Sequence, residues 1–519
     1  MKIFNKRPIF LFALVMMFAT LVVIYHNYFA LWLTFLCAGG TLAALSLLLW
    51  VFIRNNTCKL VMSRIFIVAL AVLLSVGVVK IDAALYNRDY SDFAGNAVVS
   101  GRVAEVGELQ TNTRRRLILE NVHIEGEGIS KDLHYKLALT VLIEEDDQNH
   151  FALGSTIDAY AKISFAELYY YGEHGLTFHY KTKGITCYGY ALESAITVQD
   201  VSLKLSLADR IKTKVTQVVN DNLDEEYAGL ARGMLFGDSS AIDDEVYSDF
   251  SNAGIAHLLA VSGLHVAFLV ALLLFVCKLV KAKGLVKLII VAVLLGLYCY
   301  LCGFTVSVMR ASIMAVCMLL ASCIKQKYDM LNALSLAFII VLAIFPFSIT
   351  TLGFQLSFLS VFSICLLSKP LTRFFSKFMY KKLAQTFAAL ISIQIGTICI
   401  YLRAFSHITL VAVLSNFICI PIASVAYMVL FVSVIIAIIC PPIAINVYMF
   451  EFIMQAVVRF VHWVAQASVA NLAVWKGTVL AVLTPPAMFV TSDIYVADWL
   501  KKLIPSTILW VASAIILLC

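Results

Sequence analysis

The chain has 519 residues, of which 61% are hydrophobic and only 14% charged, and its mean hydropathy is +0.91. Soluble globular chains of this length do not carry that balance, so the composition excludes a water-soluble enzyme or binding module and implies a chain that crosses a bilayer many times. The formal charge of +7 is not by itself a mark of nucleic-acid binding, because most lysines and arginines stand in short connections between apolar runs, where topology alone puts them.

Lys2, Lys6 and Arg7 precede a first apolar run, and a second run follows almost at once without a clear small-residue cleavage site. That pattern predicts a retained membrane anchor rather than a signal peptide. Runs over 9–25, 28–53 and 65–79 predict three crossings in residues 1–81, the third short against the roughly 20 residues a spanning helix needs. Basic residues flank the start and the second connection (Arg54, Lys59, Arg64), whereas His26-Asn27 carries none. Positive-inside logic therefore puts the N-terminus in the cytoplasm and residues 82–200 on the outer face.

In 82–200 the texture changes to alternating stretches over 97–106, 116–124, 137–143 and 157–163, separated by Gly, Asn and Asp clusters. These predict short strands of a small, OB-like β-barrel. Single-stranded nucleic acid binds such domains by stacking bases on aromatic rings beside a basic groove. Tyr169, Tyr170, Tyr171, Phe178, Tyr180, Tyr188 and Tyr190 supply rings here, and Arg102, Arg114, Arg115, Arg116, Lys131 and Lys136 supply charge. Against this, strand-rich domains bury tyrosines in any case, and Glu144 to Asp147 would repel phosphate on their side. Cys187 is the one cysteine of the segment, so no internal disulfide staples it.

Over 203–220 the pattern becomes amphipathic, with Leu207, Ile211, Val215 and Val218 set against Lys204, Arg210, Lys212 and Lys214. Residues 201–252 therefore read as helices lying on the membrane surface. The remainder, 253–519, is a series of apolar runs whose lysine-rich connections fall on one predicted side. The run 408–440 is too long for one simple straight crossing and contains Pro421, which predicts a broken or re-entrant segment.

The stretch GIAHLLAVSGLHVAFL (254–269) places His257, Ser262 and His265 inside an apolar segment. Ionisable groups at that depth are expensive, and function is the default suspicion. On a single helix Ser262 and His265 share a face and His257 lies two turns from His265, giving one polar stripe. Arg310 stands a few residues into another apolar run, where it must snorkel, pair or face water. Gln355 and Asn416 are amides in apolar sequence, suited to bonding neighbouring helices or to lining a pore. Gly254, Gly263, Gly303 and Gly353 neighbour these positions; they permit either close packing or broken helices whose free N-termini attract anions. Ser262 and His265 also suit a nucleophile and general base, although no acidic orienter lies in the run. Two histidines two turns apart, without a further ligand, do not make a metal site. We assign no metal, cofactor or catalytic residue from the sequence.

HLLAVSGLHV (257–266), preceded by Leu235-Phe236-Gly237-Asp238 and Phe250 and followed in order by GFTVSVMRA (303–311), GFQLSF (353–358) and Ser415-Asn416, resembles the signature of the ComEC family. Those are bacterial competence proteins that pass single-stranded DNA across the inner membrane. The resemblance implies an OB-like outer domain followed by a helical channel region. It also implies a channel or DNA path at the positions matching the motifs: Arg232, Gly237, Asp238, His257, Ser262, Gly263, His265, Arg310, Gln355 and Asn416. On the outer domain the candidates for DNA contact are Arg102, Arg114, Arg115, Arg116 and Tyr170. Many members end in a metallo-β-lactamase-like domain, whose His-x-His-x-Asp-His signature is not found here, so this sequence reads as a short form in which strand degradation, if one strand is degraded, falls to a separate nuclease. No GxxxxGK[ST] loop occurs either. The resemblance therefore implies a cytoplasmic helicase-like motor and an extracytoplasmic DNA receptor as partners, beside single-stranded DNA and membrane lipid. Two alternatives stay open: an intramembrane hydrolase using Ser262 and His265, and a transporter of another anionic polymer or lipid.

Overall fold

An apolar run in hydrocarbon must satisfy its own backbone hydrogen bonds, and a helix does so within the segment. The computed structural model describes residues 7–25, 29–52, 56–110, 114–126, 128–143, 151, 154–166, 180–199, 207–238, 242–405, 411–439 and 447–466. The runs expected to span are helices there. Before the strands come α1 (Pro8–Tyr25), α2 (Phe29–Phe52) and α3 (Asn56–Asn87). After them come α4 (Leu207–Asn222), α5 (Glu225–Phe236) and α6 (Asp244–Asn252), then α7 (Gly263–Leu279), α8 (Gly284–Leu301), α9 (Val306–Cys323) and α10 (Met330–Ile344). The series continues with α11 (Leu352–Phe375), α12 (Lys381–Phe405), α13 (Ala412–Ile439) and α14 (Tyr448–Gln466). Among the described residues, eight helices are long and apolar enough to cross a membrane. The protein is a polytopic helical membrane protein.

Three runs differ from expectation. The third is not short: α3 has 32 residues, because the helix carries on through Lys80 and Asp82 beyond its apolar part. The run 330–349 splits at Pro346, which opens a 3-10 turn, Pro346–Thr350; the residue before a proline is pushed out of the helical region. Pro421, by contrast, breaks nothing, since α13 is one helix of 28 residues with the proline inside it. Membrane helices tolerate proline where neighbouring groups re-satisfy the freed carbonyl, and a helix about 42 Å long fits a bilayer by tilting. The expected runs over 472–490 and 505–518 lie outside the described residues.

The strands are β1 (Ala94–Gln110), β2 (Arg114–Gly126), β3 (Ile129–Asp132), β4 (Lys136–Leu142), β5 (Thr156–Phe165), β6 (Ile185–Leu192) and β7 (Ile196–Gln199). Pairing runs β1-β2-β4-β6-β5 and returns from β5 to β1, closing a five-stranded barrel; β3 pairs with β2, and β7 with β5, outside the ring. Every ring pair is antiparallel except β4–β6. This is a small barrel of OB-like connectivity. Alternation does the folding: Leu117, Leu119, Leu137, Leu139, Ile157 and Ile163 are fully buried inside, while their sequence neighbours point out. The four strands expected from alternation are present. The aromatic 185–192 stretch is a fifth, β6, whose Tyr188 and Tyr190 face outward while Cys187 and Ala191 join the core.

The described residues fall into two compact units, one comprising 14–210 with 342–351, the other comprising the chain start through residue 13, 211–341 and the chain from 352 onward. In the first, Asp89 closes the foot of the barrel. Its fully buried carboxylate accepts the backbone N–H groups of His134 (2.7 Å) and Tyr135 (2.8 Å). In the second, Arg7 ahead of α1 pairs with Asp329 at 2.9 Å, which also caps α10 through the N–H of Leu331 and Asn332.

Candidate functional site

The motif run at 254–266 is not one helix. Gly254 takes a left-handed conformation (φ 72°) after α6, a 3-10 turn follows over Ala256–Leu258, and the chain is extended at Ser262 (φ −119°, ψ 168°) before α7 begins at Gly263. The polar stripe expected from a continuous helix is therefore absent, and His257 and His265 lie on different elements. Ser262 is the N-cap of α7: its N–H donates to Nδ1 of His265 at 3.1 Å, the return half of a capping-box arrangement. The Ser262 hydroxyl is 3.5 Å from the same nitrogen. Burial of His265 (1% exposed) and a ring contact with Tyr427 at 4.3 Å fix the imidazole in place.

Arg310, in the first turns of α9, reaches this break. A Cβ on Gly263 would lie 2.6 Å from its Nη2, so the guanidinium rests against the first turn of α7 at a spot only glycine leaves open. Nη1 donates to the carbonyl of Ser357 on α11, and Nε has no partner. Among the described residues Arg310 makes no ion pair, yet it is only 7% exposed. A buried, unneutralised guanidinium beside the positive end of a helix dipole is unfavourable by itself.

Further motif residues converge on the break from other helices. Asn416 on α13 donates to the carbonyls of Gly254 (3.3 Å) and Ala412 (2.7 Å), and its Oδ1 is buried without a partner. Gly237 ends α5 in a left-handed conformation (φ 82°); a Cβ there would touch Val261 at 3.5 Å. One turn earlier, a Cβ on Gly233 would lie 2.5 Å from the carbonyl oxygen of Leu259, so α5 packs backbone against backbone on the broken segment.

A buried hydroxyl pair completes the cluster. The Tyr298 hydroxyl (α8) bonds the Leu235 carbonyl at 3.3 Å and the Tyr427 hydroxyl (α13) at 3.2 Å. Gly233, Tyr298 and Tyr427 lie outside the sequence motifs, and Ser357 lies inside GFQLSF without being one of its candidate residues. The available signal was a tyrosine inside an apolar run, whose hydroxyl needs a partner when buried.

The remaining expected residues are not drawn into the cluster by any contact described above. His257 is exposed in the 3-10 turn, Asp238 is exposed after α5, Gln355 is half-buried in the first turns of α11, and Arg232 on α5 is half-buried with Nε unpartnered. In the barrel, Arg102 is held by Asp209 (2.9 Å) and Glu120 (3.6 Å). Its charge is thereby neutralised, unlike the phosphate-facing role expected for it. Arg114 and Arg116 alternate outward on β2 about the buried Leu117 and Leu119, with Arg115 on the opposite parity. Tyr170 lies outside the described residues.

Barrel and helices together define a class: a multi-pass helical membrane protein with a small β-barrel and, in its helical region, a broken helix held by glycine contacts and a buried arginine. The sequence profile described as Competence protein matches residues 234–518, more than half of the chain, and the chain belongs to that family. The expected resemblance to ComEC proteins is borne out. The ComE operon protein 3 of Bacillus subtilis is 29% identical over 211 residues, covering 41% of this chain and 26% of that protein. Recombination protein 2 of Haemophilus influenzae is 28% identical over 262 residues, covering 47% of this chain and 32% of that protein. The matched parts thus span between a quarter and a third of those relatives. No solved structure matches the chain.

Proposed function

We propose that this protein is an inner-membrane channel through which DNA enters the cytoplasm as a single strand during natural transformation, with its N-terminus in the cytoplasm and its barrel outside. One observation carries the reading: motif residues from α5, α7, α9 and α13 meet at a helix break, where Arg310 is buried and, among the described residues, has no carboxylate partner. A membrane protein that keeps such a charge has a use for it, and an anionic polymer supplies the missing counter-charge. The positive end of the α7 dipole acts in the same sense. His257, Gln355, Arg232 and Asp238 line the approaches in this reading.

The hydrolase alternative fares worse on the same geometry. Nδ1 of His265 accepts a backbone N–H, so the lone pair that would take the serine proton is engaged in holding the cap. Energy would come from a cytoplasmic helicase-like motor and delivery from an outer DNA receptor. The test is entry of labelled DNA into the cytoplasm of a strain lacking the chain, complemented by the intact chain or by His265→Ala. Rescue by the intact chain alone supports the reading; normal entry without the protein removes it and points to another anionic polymer or lipid.

A further inference from the structure

We propose that the hairpin joining α11 to α12 is an anionic-lipid site, whose rings enter the headgroup layer and whose cations hold the phosphates of negatively charged lipids. The proposal rests on the transport reading only for its assignment to the cytoplasmic leaflet; lipid selectivity at this hairpin can be measured whether or not the chain conducts DNA.

Packing builds the hairpin and leaves its tip uncovered. Leu366 and Leu367 of α11 are buried, with Ile395 of α12 packed against them. Towards the turn the large side chains face outward: Phe374, Phe378 and Tyr380 are 54%, 74% and 69% exposed, and Leu383 is exposed as well. Two of these rings are gathered rather than scattered. The Phe374 centroid lies 5.3 Å from that of Phe375 and 5.5 Å from that of Phe378. In water such a cluster is an association liability, whereas the membrane interface is where aromatic rings settle.

Depth puts the rings at that interface. Arg310 of α9 donates to the Ser357 carbonyl of α11, so these two positions are level, and the intervening α10 makes α9 and α11 run in the same direction. α9 ends thirteen residues on, at Cys323, and the same count along α11 arrives at Pro370. At 1.5 Å per residue, Phe374 is about 6 Å further out. That distance falls within the roughly 5–8 Å of headgroup layer that covers each side of the hydrocarbon.

Charge selects the lipid. Arg373, Lys377, Lys381 and Lys382 surround the rings, and no aspartate or glutamate occurs between Asp329 and Glu451. Asp329 itself is taken by Arg7. Lys377, Lys381 and Lys382 are exposed, and among the described residues they make no ion pair. Rings at the level of the glycerol backbone, with ammonium groups reaching the phosphates beside them, form an interfacial anchor that favours negatively charged headgroups. The α7–α8 connection supplies charge without rings: Lys278, Lys281 and Lys283 there have the exposed aliphatic neighbours Leu279, Val280 and Leu285.

For the test, Phe378→Trp is introduced into the full chain, which is reconstituted in mixed vesicles of phosphatidylglycerol and phosphatidylcholine, with one lipid or the other carrying dibrominated acyl chains. The fluorescence difference from the unsubstituted chain reports quenching of the introduced indole. Brominated phosphatidylglycerol is expected to quench it more strongly than brominated phosphatidylcholine at equal mole fraction. Each cation removed by Lys377→Gln, Lys381→Gln or Lys382→Gln is expected to lower the relative binding constant by up to about fivefold. All three lysines are exposed, and unchanged thermal unfolding checks that the fold is kept. An indole that neither lipid quenches stands in water, and equal quenching by both lipids marks a contact that does not choose its headgroup; either result overturns the proposal. So does an equal fall in Lys278→Gln/Lys283→Gln, which would make the effect one of general surface charge. Oligothymidylate is added to the same vesicles: if it changes the indole emission while the two lipids act alike, the hairpin is a nucleic-acid contact and the proposal fails.

Discussion

Arg310→Met separates a structural arginine from a functional one, because the two roles predict opposite stabilities. The substitution keeps an unbranched chain in the same space and removes one charge-assisted hydrogen bond, from Nη1 to the Ser357 carbonyl. Such a bond is worth about 1.5–3 kcal/mol. The carbonyl is not orphaned, because the Ser360 hydroxyl also donates to it at 2.9 Å. On the other side, a guanidinium 7% exposed, without a carboxylate partner among the described residues and with Nε unsatisfied, carries a desolvation penalty of several kcal/mol. Replacing a buried charge by an apolar side chain of similar volume is typically neutral or stabilising by about 1–4 kcal/mol. The expected result is a purified protein that unfolds at the same or a higher temperature and a strain that no longer takes labelled DNA into its cytoplasm. A variant at least 2 kcal/mol less stable would make Arg310 a staple between α9 and α11. Normal uptake by an equally stable variant would refute its place on the DNA path.

Three further outcomes are expected. Gly233→Ala should destabilise the protein by up to about 2 kcal/mol: helix propensity returns about 1 kcal/mol, but a Cβ 2.5 Å from the Leu259 carbonyl oxygen forces α5 off the broken segment at about 1–3 kcal/mol, and a raised unfolding temperature would contradict that packing. Tyr298→Phe and Tyr427→Phe should each lower stability by about 1 kcal/mol; because the two hydroxyls bond each other at 3.2 Å, the double variant should lose less than the sum, and strict additivity would show that the pair is not coupled. Burial inside the barrel pushes the Cys187 thiol up from 9.0 to about 12. The unfolded chain therefore releases this proton first, so the thiol's contribution is intact below pH 9 and is lost as pH rises from 9 towards 12. Comparison with Cys187→Ala should show about 2 kcal/mol of extra lability in the intact chain near pH 10.5, with maleimide labelling of Cys187 in the folded protein strongly suppressed at pH 8. Rapid labelling there would refute its burial.

Much of the architecture was legible because it rests on local periodicity. A helix needs an apolar run, a half-buried strand needs alternation, and both are written residue by residue; thus α1, α8, α9 and the first strands appear where the sequence puts them. The site was legible only as a set of residue types. His257, Ser262 and His265 look like one helical stripe because spacing along a chain says nothing of a break made by Gly254 and an N-cap at Ser262. Pro421 looks like a break because the packing around it, of Cys419, Ala423, Ala426 and Tyr427 in a shared core, comes from other segments.

What the sequence determined, then, is the class of molecule, the small β-barrel and the polar residues that hydrocarbon does not tolerate without cause. Tertiary structure decided which of them meet. Gly263 makes room for Arg310, 47 positions along the chain, and Asn416 reaches Gly254 across 162 positions. In the barrel, register alone puts Arg116, Tyr190 and Lys162 in one rank. The physical reason is common to both cases: side-chain chemistry is a local property, whereas counter-charge, close approach and strand pairing are relations between distant segments that exist only once the chain has packed.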